Sequence, residues 1–402
     1  MTDIEQQNAM RNIIFYDDNE IRKQLLPLTY TRPIAKIRIG ITTIAEKWES
    51  LLGEAQYSWL TASYLQEKYP LRAEAANLMV AGHALPSPTL ANQVLTLAEG
   101  EAIVDDGQVI AFYGKPEDFD NRNFKHSYQP QAQPRYISKL YDIFEHNSET
   151  LLTDFVRITR GRTSQPIPPT ATVIGNPKLI FIEEGACVDG AIINSKKGPV
   201  YIGRNVEIME CACVRGPFAA CHDAKVKIGA KIYEGTTLGP HCKVGGEVEN
   251  TVFLGYSNKA HDGFIGDAVV GEWCNLGGGT TASNLKNDYG EIKLWNYSTQ
   301  RFERTGRQFV GLIMGDHCKT GVNCMINTAT VLGVGVNIHG SGFPRNFVPS
   351  FMEGSSNAGF KDVNLKAFFT IAERVMDRRG ISLTETDRKM YESIYAIAKK
   401  YK

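Results

Sequence analysis

The 402-residue sequence has no excess of charge of either sign, because 44 Lys and Arg residues balance 44 Asp and Glu residues. This balance excludes a general basic surface for nucleic acid or anionic membranes. The mean hydropathy is −0.24, and no apolar run approaches the roughly 18 residues that a membrane-spanning helix needs. The first ten residues lack the apolar core of a secretory signal. We therefore expect a cytoplasmic protein with a dispensable leader before a second start at Met10.

Cys-x-x-Cys pairs are also missing, although the sequence contains eight cysteines. All eight lie within one stretch of the chain, and free cysteine in a large cytosolic protein behaves as a small apolar core residue. We expect packing rather than metal or redox chemistry of Cys187, Cys211, Cys213, Cys221, Cys242, Cys274, Cys318 and Cys324.

The chain is too long for one ordinary domain, and its pattern changes along its length. Residues 11–155 alternate short apolar runs, such as Asn12–Tyr16 and Asn77–Ala81, with helix-like windows at Ile44–Leu52 and Trp59–Tyr69, which indicates an α/β layered sheet. Residues 156–171 end in a proline-rich stretch and are predicted to be a linker. Residues 172–350 form a repeat domain, and 351–402 a short helical tail.

The repeat domain has a period of six residues. Each unit begins with an aliphatic residue and carries a small or β-branched residue at its fifth position, which is typical of a triangular solenoid whose first-position residues stack inward. The pattern predicts a left-handed parallel β-helix, an architecture that often assembles as a trimer, with breaks in phase at 219–227, 250–264 and 282–309. The first positions are Ile202, Ile208, Val214, Ile228, Leu238, Val244, Ile265, Met314, Thr320, Ile326, Leu332 and Ile338.

Three ordered motifs lie in and beside these breaks. They are Asn258-Lys259-Ala260-His261, Asn275 to Thr280, and Asn284 followed by Asn287-Asp288-Tyr289-Gly290. Together they resemble the acetyltransferase half of the bifunctional UDP-N-acetylglucosamine pyrophosphorylase/glucosamine-1-phosphate N-acetyltransferase family. Two departures stand out: one residue is missing between Ala260 and His261, and Phe264 replaces the family's tyrosine.

Acetyl transfer from a thioester to an amine needs a base, and histidine titrates near neutral pH. His261 is the candidate base, a role that the resemblance also implies. Backbone N–H groups of Gly277, Gly278 and Gly279 are candidates for oxyanion stabilisation and for the acetyl-CoA arm. The candidate substrate-binding residues are Lys259 and Arg215 for sugar phosphate, and Asn275 and Asn284 for sugar hydroxyls or the amine.

Other interpretations of the repeat domain remain open. Asn275, Asn284 and the glycines also suit corner turns, and Lys259 and Arg215 suit surface charges. A hexapeptide-repeat binding module or pseudoenzyme is a non-enzymatic alternative. A zinc hydratase of the γ-carbonic-anhydrase type is a further one, since His222, His241 and His261 are separated by about one coil each.

The N-terminal part has a second resemblance. Leu25-Leu26-Pro27-Leu28-Thr29, followed by Arg32-Pro33, resembles the sugar-1-phosphate nucleotidyltransferase segment that follows the phosphate-binding glycine loop. This chain has Asp17-Asp18-Asn19-Glu20 in place of the glycines. The resemblance implies a nucleotidyltransferase-like, Rossmann-like fold that couples a nucleoside triphosphate to a sugar 1-phosphate with Mg²⁺.

The residues of such a nucleotide site follow from charge. Arg22, Arg32 and Lys36 could offset the acidic loop and bind nucleotide, and Asp105 and Asp106 suit either Mg²⁺ binding or a turn before Gly107. The sequence as a whole predicts a cytoplasmic homotrimer of nucleotide-sugar biosynthesis. Its partners are small sugar phosphates and nucleotides, with no nucleic acid and no membrane.

Overall fold

The computed structural model describes residues 11–402, and the expected leader lies outside the described residues. The chain forms two compact units, which are residues 11–25, 31–37 and 42–138, and residues 26–30, 38–41 and 139–402. This division falls before the predicted domain boundary at residue 155, and the predicted domain limits stay a prediction. Within the described range, no helix is long and apolar enough to cross a membrane.

The first unit contains a six-stranded mixed sheet. Its central strand Asn12–Tyr16 pairs in parallel with both neighbours, and every one of its residues is buried, as is usual for a parallel strand covered on both faces. In spatial order the strands are Gln56–Leu60, Asn12–Tyr16, Asn77–Ala81, Gln108–Gly114, Glu101–Asp105 and His126–Tyr128. A small antiparallel pair joins Ala84–Leu85 to Arg135–Tyr136.

The helices of this unit are short. Ile44–Leu52 confirms a predicted helix, since Thr43 and Glu46 form a capping box at its start and Gly53 ends it with a positive φ. The prediction of a helix over 59–69 is wrong: Gln56–Leu60 is a strand held by parallel pairing, followed by a 3₁₀ turn at Ser63–Leu65. The remaining helices are Asn19–Gln24, Pro88–Leu95 and Pro116–Asp120, with a 3₁₀ turn at Ile34–Lys36.

The second unit is a parallel β-helix, as the hexads predict, with three faces. The first face consists of Thr172–Ile174, Ile192–Asn194, Cys213–Arg215, Lys231–Ile232, the starts of Glu247–Gly255 and Phe264–Glu272, Thr281–Ala282 and Met325–Ile326. The second consists of Ile180–Ile182, Val200–Ile202, Phe218–Ala220, Thr236–Leu238, the ends of the two long strands, Ile313–Met314, Val331–Leu332 and Phe347–Val348. The third consists of Cys187–Val188, Glu207–Ile208, Lys225–Val226, Lys243–Val244, Asn258–Lys259, Asn275–Leu276, Lys319–Thr320, Asn337–Ile338, Met352–Ser355 and the antiparallel Gly359–Asp362.

The predicted phase of the repeat is confirmed except at one hexad. All the other first-position residues are buried, whereas Ile228 is 68% exposed. The inward positions there are Val226 and Ile232, so the predicted frame at Ile228 is wrong by two residues. Five of the eight cysteines are buried as expected, while Cys187 and Cys211 are exposed and Cys213 is half-buried.

Only one of the three predicted breaks is a true insertion. The segments 219–227 and 250–264 are ordinary coil, because corner residues Asp223 and Tyr256 adopt positive φ and let the chain turn without a loop. The segment after Ala282 leaves the coil and forms an antiparallel hairpin of Lys293–Asn296 and Arg301–Arg304. The chain rejoins the second face at Ile313–Met314.

Helices cover parts of the β-helix. Leu151 and Phe155 of the helix Asn147–Thr159 pack against Phe181 and Tyr201 of the second face, which is why this segment belongs to the second unit. A short helix at Asp142–Glu145 and a 3₁₀ turn at Leu28–Tyr30 lie in the same unit. The predicted tail helices are present at Leu365–Asp377 and Glu385–Ala398, capped by Asn364 and Thr384.

Candidate functional site

His261 lies in the corner segment that joins the third face of the β-helix to the first. Its side chain is exposed, and it faces the glycine segment of the next coil: a Cβ added to Gly278 would lie 3.4 Å from the His261 Cβ. The two border a shallow depression of about 410 Å³, lined by Lys227, Ile228, Ala260, His261, Asp262, Gly278 and Gly279. The structure thus brings together the predicted base and two of the three predicted glycines.

The three glycines differ in whether their backbone N–H group already donates a hydrogen bond. The Gly277 amide donates to Thr320, and the Gly279 amide donates to the Asp262 carbonyl at 2.9 Å. Among the described residues the Gly278 amide has no hydrogen-bond acceptor. Gly278 is therefore the glycine whose N–H could stabilise an anion beside His261.

Lys259 occupies an inward position, in register with Val244 of the preceding coil. Its side chain is 2% exposed, and its ammonium donates to the carbonyl oxygens of Gly245 and His261 at 2.9 and 3.0 Å. Burial lowers the pKa of Lys259 to about 8, although nearby Asp262 acts in the opposite direction. In this arrangement Lys259 holds the His261 segment in place and does not face a sugar phosphate.

The predicted asparagines occupy different surroundings. Asn275 is exposed on the third face, in register with Asn258 and Lys319. Asn284 donates to the Asp267 carboxylate at 2.7 Å, and burial raises the pKa of Asp267. Phe264 is half-buried beside Gly266, where an added Cβ would clash with both Phe264 and Asn284.

Arg215 lies apart from these residues on the first face. Arg215, Tyr233, Glu249 and Gly266 take equivalent positions in successive coils of this face. About three strand spacings, or roughly 14 Å, therefore separate Arg215 from Gly266. Its guanidinium pairs with Glu234 at 3.1 Å. The structure does not bring Arg215 to His261.

Basic side chains that the sequence did not single out lie beside the His261 depression. Lys243 is on the third face, and burial together with the positive charges of Arg379 and Lys225 lowers its pKa. Lys227, which lines the depression, and Arg378 act on Lys243 in the same direction. Their contributions come from different coils and from the tail, so no local sequence motif could reveal this group.

Two of the three histidines considered for zinc, His222 and His241, lie close together beside the carboxylate of Asp223. His222 Nδ1 is 2.9 Å from the Asp223 carboxylate, and His241 Nε2 is 3.8 Å from it. His261 is not a member of this group, which is the one cluster of three metal-ligating residue types found in 11–402. The arrangement expected of a three-histidine zinc site is therefore not formed within this chain.

In the first unit, hydrogen bonds to Asp17 and Asp18 organise the loop that follows the first strand. The buried Asp17 carboxylate accepts from the Ile34 amide and the Thr61 hydroxyl, and burial raises its pKa to about 6. Asp18 caps the helix Asn19–Gln24 by accepting from two of its first amides. Two N–H groups at the start of this helix, which a phosphate could otherwise use, are thus occupied by Asp18.

The predicted nucleotide-binding cations are also engaged. Arg22 donates to the Tyr64 hydroxyl at 2.6 Å and lies 3.7 Å from the Asp17 carboxylate. Lys36 lies over the Trp59 ring, and Arg32 is 3% exposed. Sequence reasoning missed His83, which is fully buried after the third parallel strand and whose pKa burial lowers to about 4.

Asp105 and Asp106 lie at a β-hairpin. Asp105 ends the strand Glu101–Asp105, which pairs with Gln108–Gly114. Asp106 and Gly107 form the loop, and both have positive φ, as a two-residue hairpin loop requires. Asp105 accepts from the Tyr136 hydroxyl at 2.7 Å. Of the two interpretations, the geometry shows the turn, and Mg²⁺ binding by these carboxylates stays a prediction.

Comparison with known proteins finds a family-model match in the N-terminal part of the chain. Residues 13–163 match the family model described as sugar nucleotidyl transferase, and a hexapeptide-repeat β-helix follows them. The chain is a divergent relative of the bifunctional sugar-1-phosphate nucleotidylyltransferase/acetyltransferases, as the sequence motifs predict.

The similarity to individual proteins is modest. The bifunctional sugar-1-phosphate nucleotidylyltransferase/acetyltransferase of Sulfurisphaera tokodaii is 33% identical over 23% of this chain and 23% of its own length. The bifunctional protein GlmU of Cupriavidus pinatubonensis is 28% identical over 38% of each chain. The chain thus spans well under half the length of the curated relatives it matches. The solved UDP-N-acetylglucosamine acyltransferase of Francisella novicida is 15% identical over 58% of this chain and 76% of its own, with a TM-score of 0.29, too low to say more about this chain.

Proposed function

We propose that the β-helix transfers an acetyl group from acetyl-CoA to the amine of an amino-sugar phosphate, of which glucosamine 1-phosphate is the expected example. The observation that carries the proposal is the exposed His261 side chain facing Gly278, whose amide has no acceptor among the described residues. The similarity to bifunctional nucleotidylyltransferase/acetyltransferases supports the same chemistry.

The reaction assigns one role to each group. His261 accepts a proton from the amine as nitrogen attacks the thioester carbon, and the Gly278 amide donates to the oxyanion that forms. The intermediate then collapses, the C–S bond breaks, and the thiolate leaves and takes up a proton. Lys259 acts as a positioning residue, since its ammonium binds the His261 carbonyl.

The basic group beside the depression suits the donor. CoA carries several phosphate charges, and Lys227 and Lys243 with Arg379 concentrate positive charge next to His261. An anionic donor would relieve the repulsion that lowers the Lys243 pKa. We assign the CoA phosphates to this side of the depression.

For the first unit, the family match supports coupling of a nucleoside triphosphate to a sugar 1-phosphate. Asp17 and Asp18 oppose it, because Asp18 occupies the amides of Glu20 and Ile21 and both carboxylates would repel a triphosphate. No group of three metal-ligating side chains lies in the described part of the first unit, and no step is assigned to Mg²⁺. Pyrophosphate release from UTP and sugar 1-phosphate decides whether this unit is active.

The test of acetyl transfer is thiol release from acetyl-CoA that depends on the amino sugar. His261→Ala should lower kcat by at least about 100-fold with an unchanged melting temperature, which is the usual contribution of a general base. His126→Ala, a change of an exposed histidine in the first unit, is the matched control. Unchanged thiol release by His261→Ala would show that His261 is not the general base. If the wild-type protein released no thiol with any amino sugar, the alternative of a binding module would be favoured.

A further inference from the structure

A large cavity in the second unit is created by the insertion that follows Ala282. The hairpin of this insertion is fastened to the β-helix by Trp295, whose ring stacks on Phe347 at 4.1 Å with the planes 9° apart. Between the insertion and the upper coils lies a cavity of about 1300 Å³. The wall comes from segments far apart in sequence, including 283–302 and 343–347.

The lining of this cavity combines exposed rings with a small excess of positive charge. Its two carboxylates already have cationic partners, because Asp288 pairs with Lys286 and Glu291 pairs with Arg304. Phe302 and Phe343 are 43% and 56% exposed, which is unusual for phenylalanine in a folded protein. Lys293 and Arg345 also line it, and neither has a hydrogen-bond or ion-pair partner among the described residues. Phe302 contacts Trp295 edge-on and still has an exposed surface. Exposed rings and unpaired cations together recognise a planar base joined to phosphate, through stacking and charge-assisted hydrogen bonds.

The cavity is one strand away from His261. Gly279 borders the His261 depression, and Ser283, four residues further along the first face, lines the cavity. Four residues of extended chain span about 13 Å. This separation suits a ligand whose base and diphosphate occupy the cavity while its sugar reaches the histidine.

We propose that the cavity binds a nucleoside diphosphate, and that among amino-sugar phosphates the β-helix therefore prefers an acceptor linked to a nucleotide over glucosamine 1-phosphate itself. The assignment of the acceptor rests on the proposed acetyl transfer at His261, whereas the nucleotide-binding cavity does not. Arg345 and Lys293 bind the diphosphate, and Phe302 and Phe343 hold the base. The adenine nucleotide of CoA has the same chemistry, but the basic group beside Lys227 already serves the donor on the other side of His261.

Binding is measured on the full chain by hydrogen exchange, which separates this cavity from the first unit. UDP should slow amide exchange in peptides covering 283–309 and 340–349. Arg345→Ala should weaken this protection at least about ten-fold in UDP concentration, as expected for a lost charge-assisted contact. Arg301→Ala is the matched control, because Arg301 is exposed on the same hairpin and does not line the cavity.

Three outcomes would overturn nucleotide binding: no protection by UDP, equal protection by inorganic phosphate, or protection by CoA at lower concentrations than UDP. The acceptor is tested separately by acetyl transfer to UDP-glucosamine and to glucosamine 1-phosphate. We expect kcat/KM at least ten-fold higher for the nucleotide-linked amine, and loss of this preference in Arg345→Ala. An equal or reversed preference overturns the acceptor assignment. Absence of transfer to both amines overturns the function proposed at His261, and the exchange data still decide the cavity.

Discussion

Lys259 shows how far the position of a residue within a coil decides its role. The motif around it favours a phosphate ligand, but its place in register with Val244 turns the side chain into the β-helix. There the ammonium is satisfied by two carbonyl oxygens rather than by a substrate. The coil from Lys243 to Asn258 is shorter than the coil from Lys225 to Lys243, and this shortening is the break in phase predicted at 250–264. The break in phase did not show that Lys259 takes an inward position.

The buried ammonium makes stability depend on pH. Burial lowers the pKa of Lys259 from 10.5 to about 8 in the folded protein, so between about pH 8 and 10.5 the unfolded chain binds more protons. Folding stability should therefore rise with pH in this window, by up to about 1.4 kcal/mol per pH unit from this residue. Urea unfolding of wild type and Lys259→Met at several pH values checks this. Parallel profiles for the two proteins would contradict it.

Gly277 and Gly278 are neighbours with different constraints. A Cβ at Gly277 would lie 2.4 Å from the Gly321 carbonyl oxygen, while one at Gly278 would make an ordinary contact with His261. Gly277→Ala should thus destabilise the protein by about 1–3 kcal/mol, as overpacking does. Gly278→Ala should fold normally and lose at least about ten-fold in acetyl transfer, because the methyl group fills the space beside the proposed base. Thermal unfolding and thiol release measure the two effects, and equal melting temperatures of both variants would show that the coils do not pack as described.

The contact of His261 with the glycine segment could be predicted from sequence, since Gly279 follows His261 by one coil length. The basic group of Lys227, Lys243 and Arg379 could not, because it depends on the packing of the tail. The same holds for the cavity beside Arg345. A sequence pattern shows which residues share a face of a repeat, but not where an insertion folds back.

Among the elements, the helix Asn147–Thr159 extends the β-helix unit beyond its hexads. Leu151 is 1% exposed in a cluster with Phe181, whereas Leu152 is 41% exposed. This helix was not predicted, and its last residues, 156–159, lie in the segment predicted to be a linker. Helical periodicity would in any case show an apolar face without showing what covers it.

This pair of leucines gives a matched test of the docking. Leu151→Ala should cost about 2–5 kcal/mol, the range for truncating a fully buried leucine. Leu152→Ala should change stability by less than about 0.5 kcal/mol, as exposed substitutions do. Denaturant unfolding followed in the second unit measures both. Equal effects of the two changes would mean that the helix does not cover the second face.

For the whole molecule, the surroundings of His261 favour the predicted trimer. The depression is shallow, and one of its borders is Ile228, which is 68% exposed. Val322, one coil beyond Gly277 at the same corner, is 71% exposed. From these exposed aliphatic residues on both sides of the candidate site, we predict that a second copy covers this surface. A neighbouring chain there would complete the wall that one chain leaves open.

The expected mass in solution is accordingly three times the 44.6 kDa of one chain. Placing charges in the contact by the double change Ile228→Asp and Val322→Asp should reduce the mass to that of one chain, since a buried unpaired carboxylate is costly. The rate of acetyl transfer should fall in the same variant, while its circular dichroism spectrum should match that of the wild type. Val156→Asp is the control, because Val156 is 59% exposed on a helix away from this corner. A wild-type protein with the mass of one chain and full acetyl transfer would show instead that a single β-helix holds the complete site.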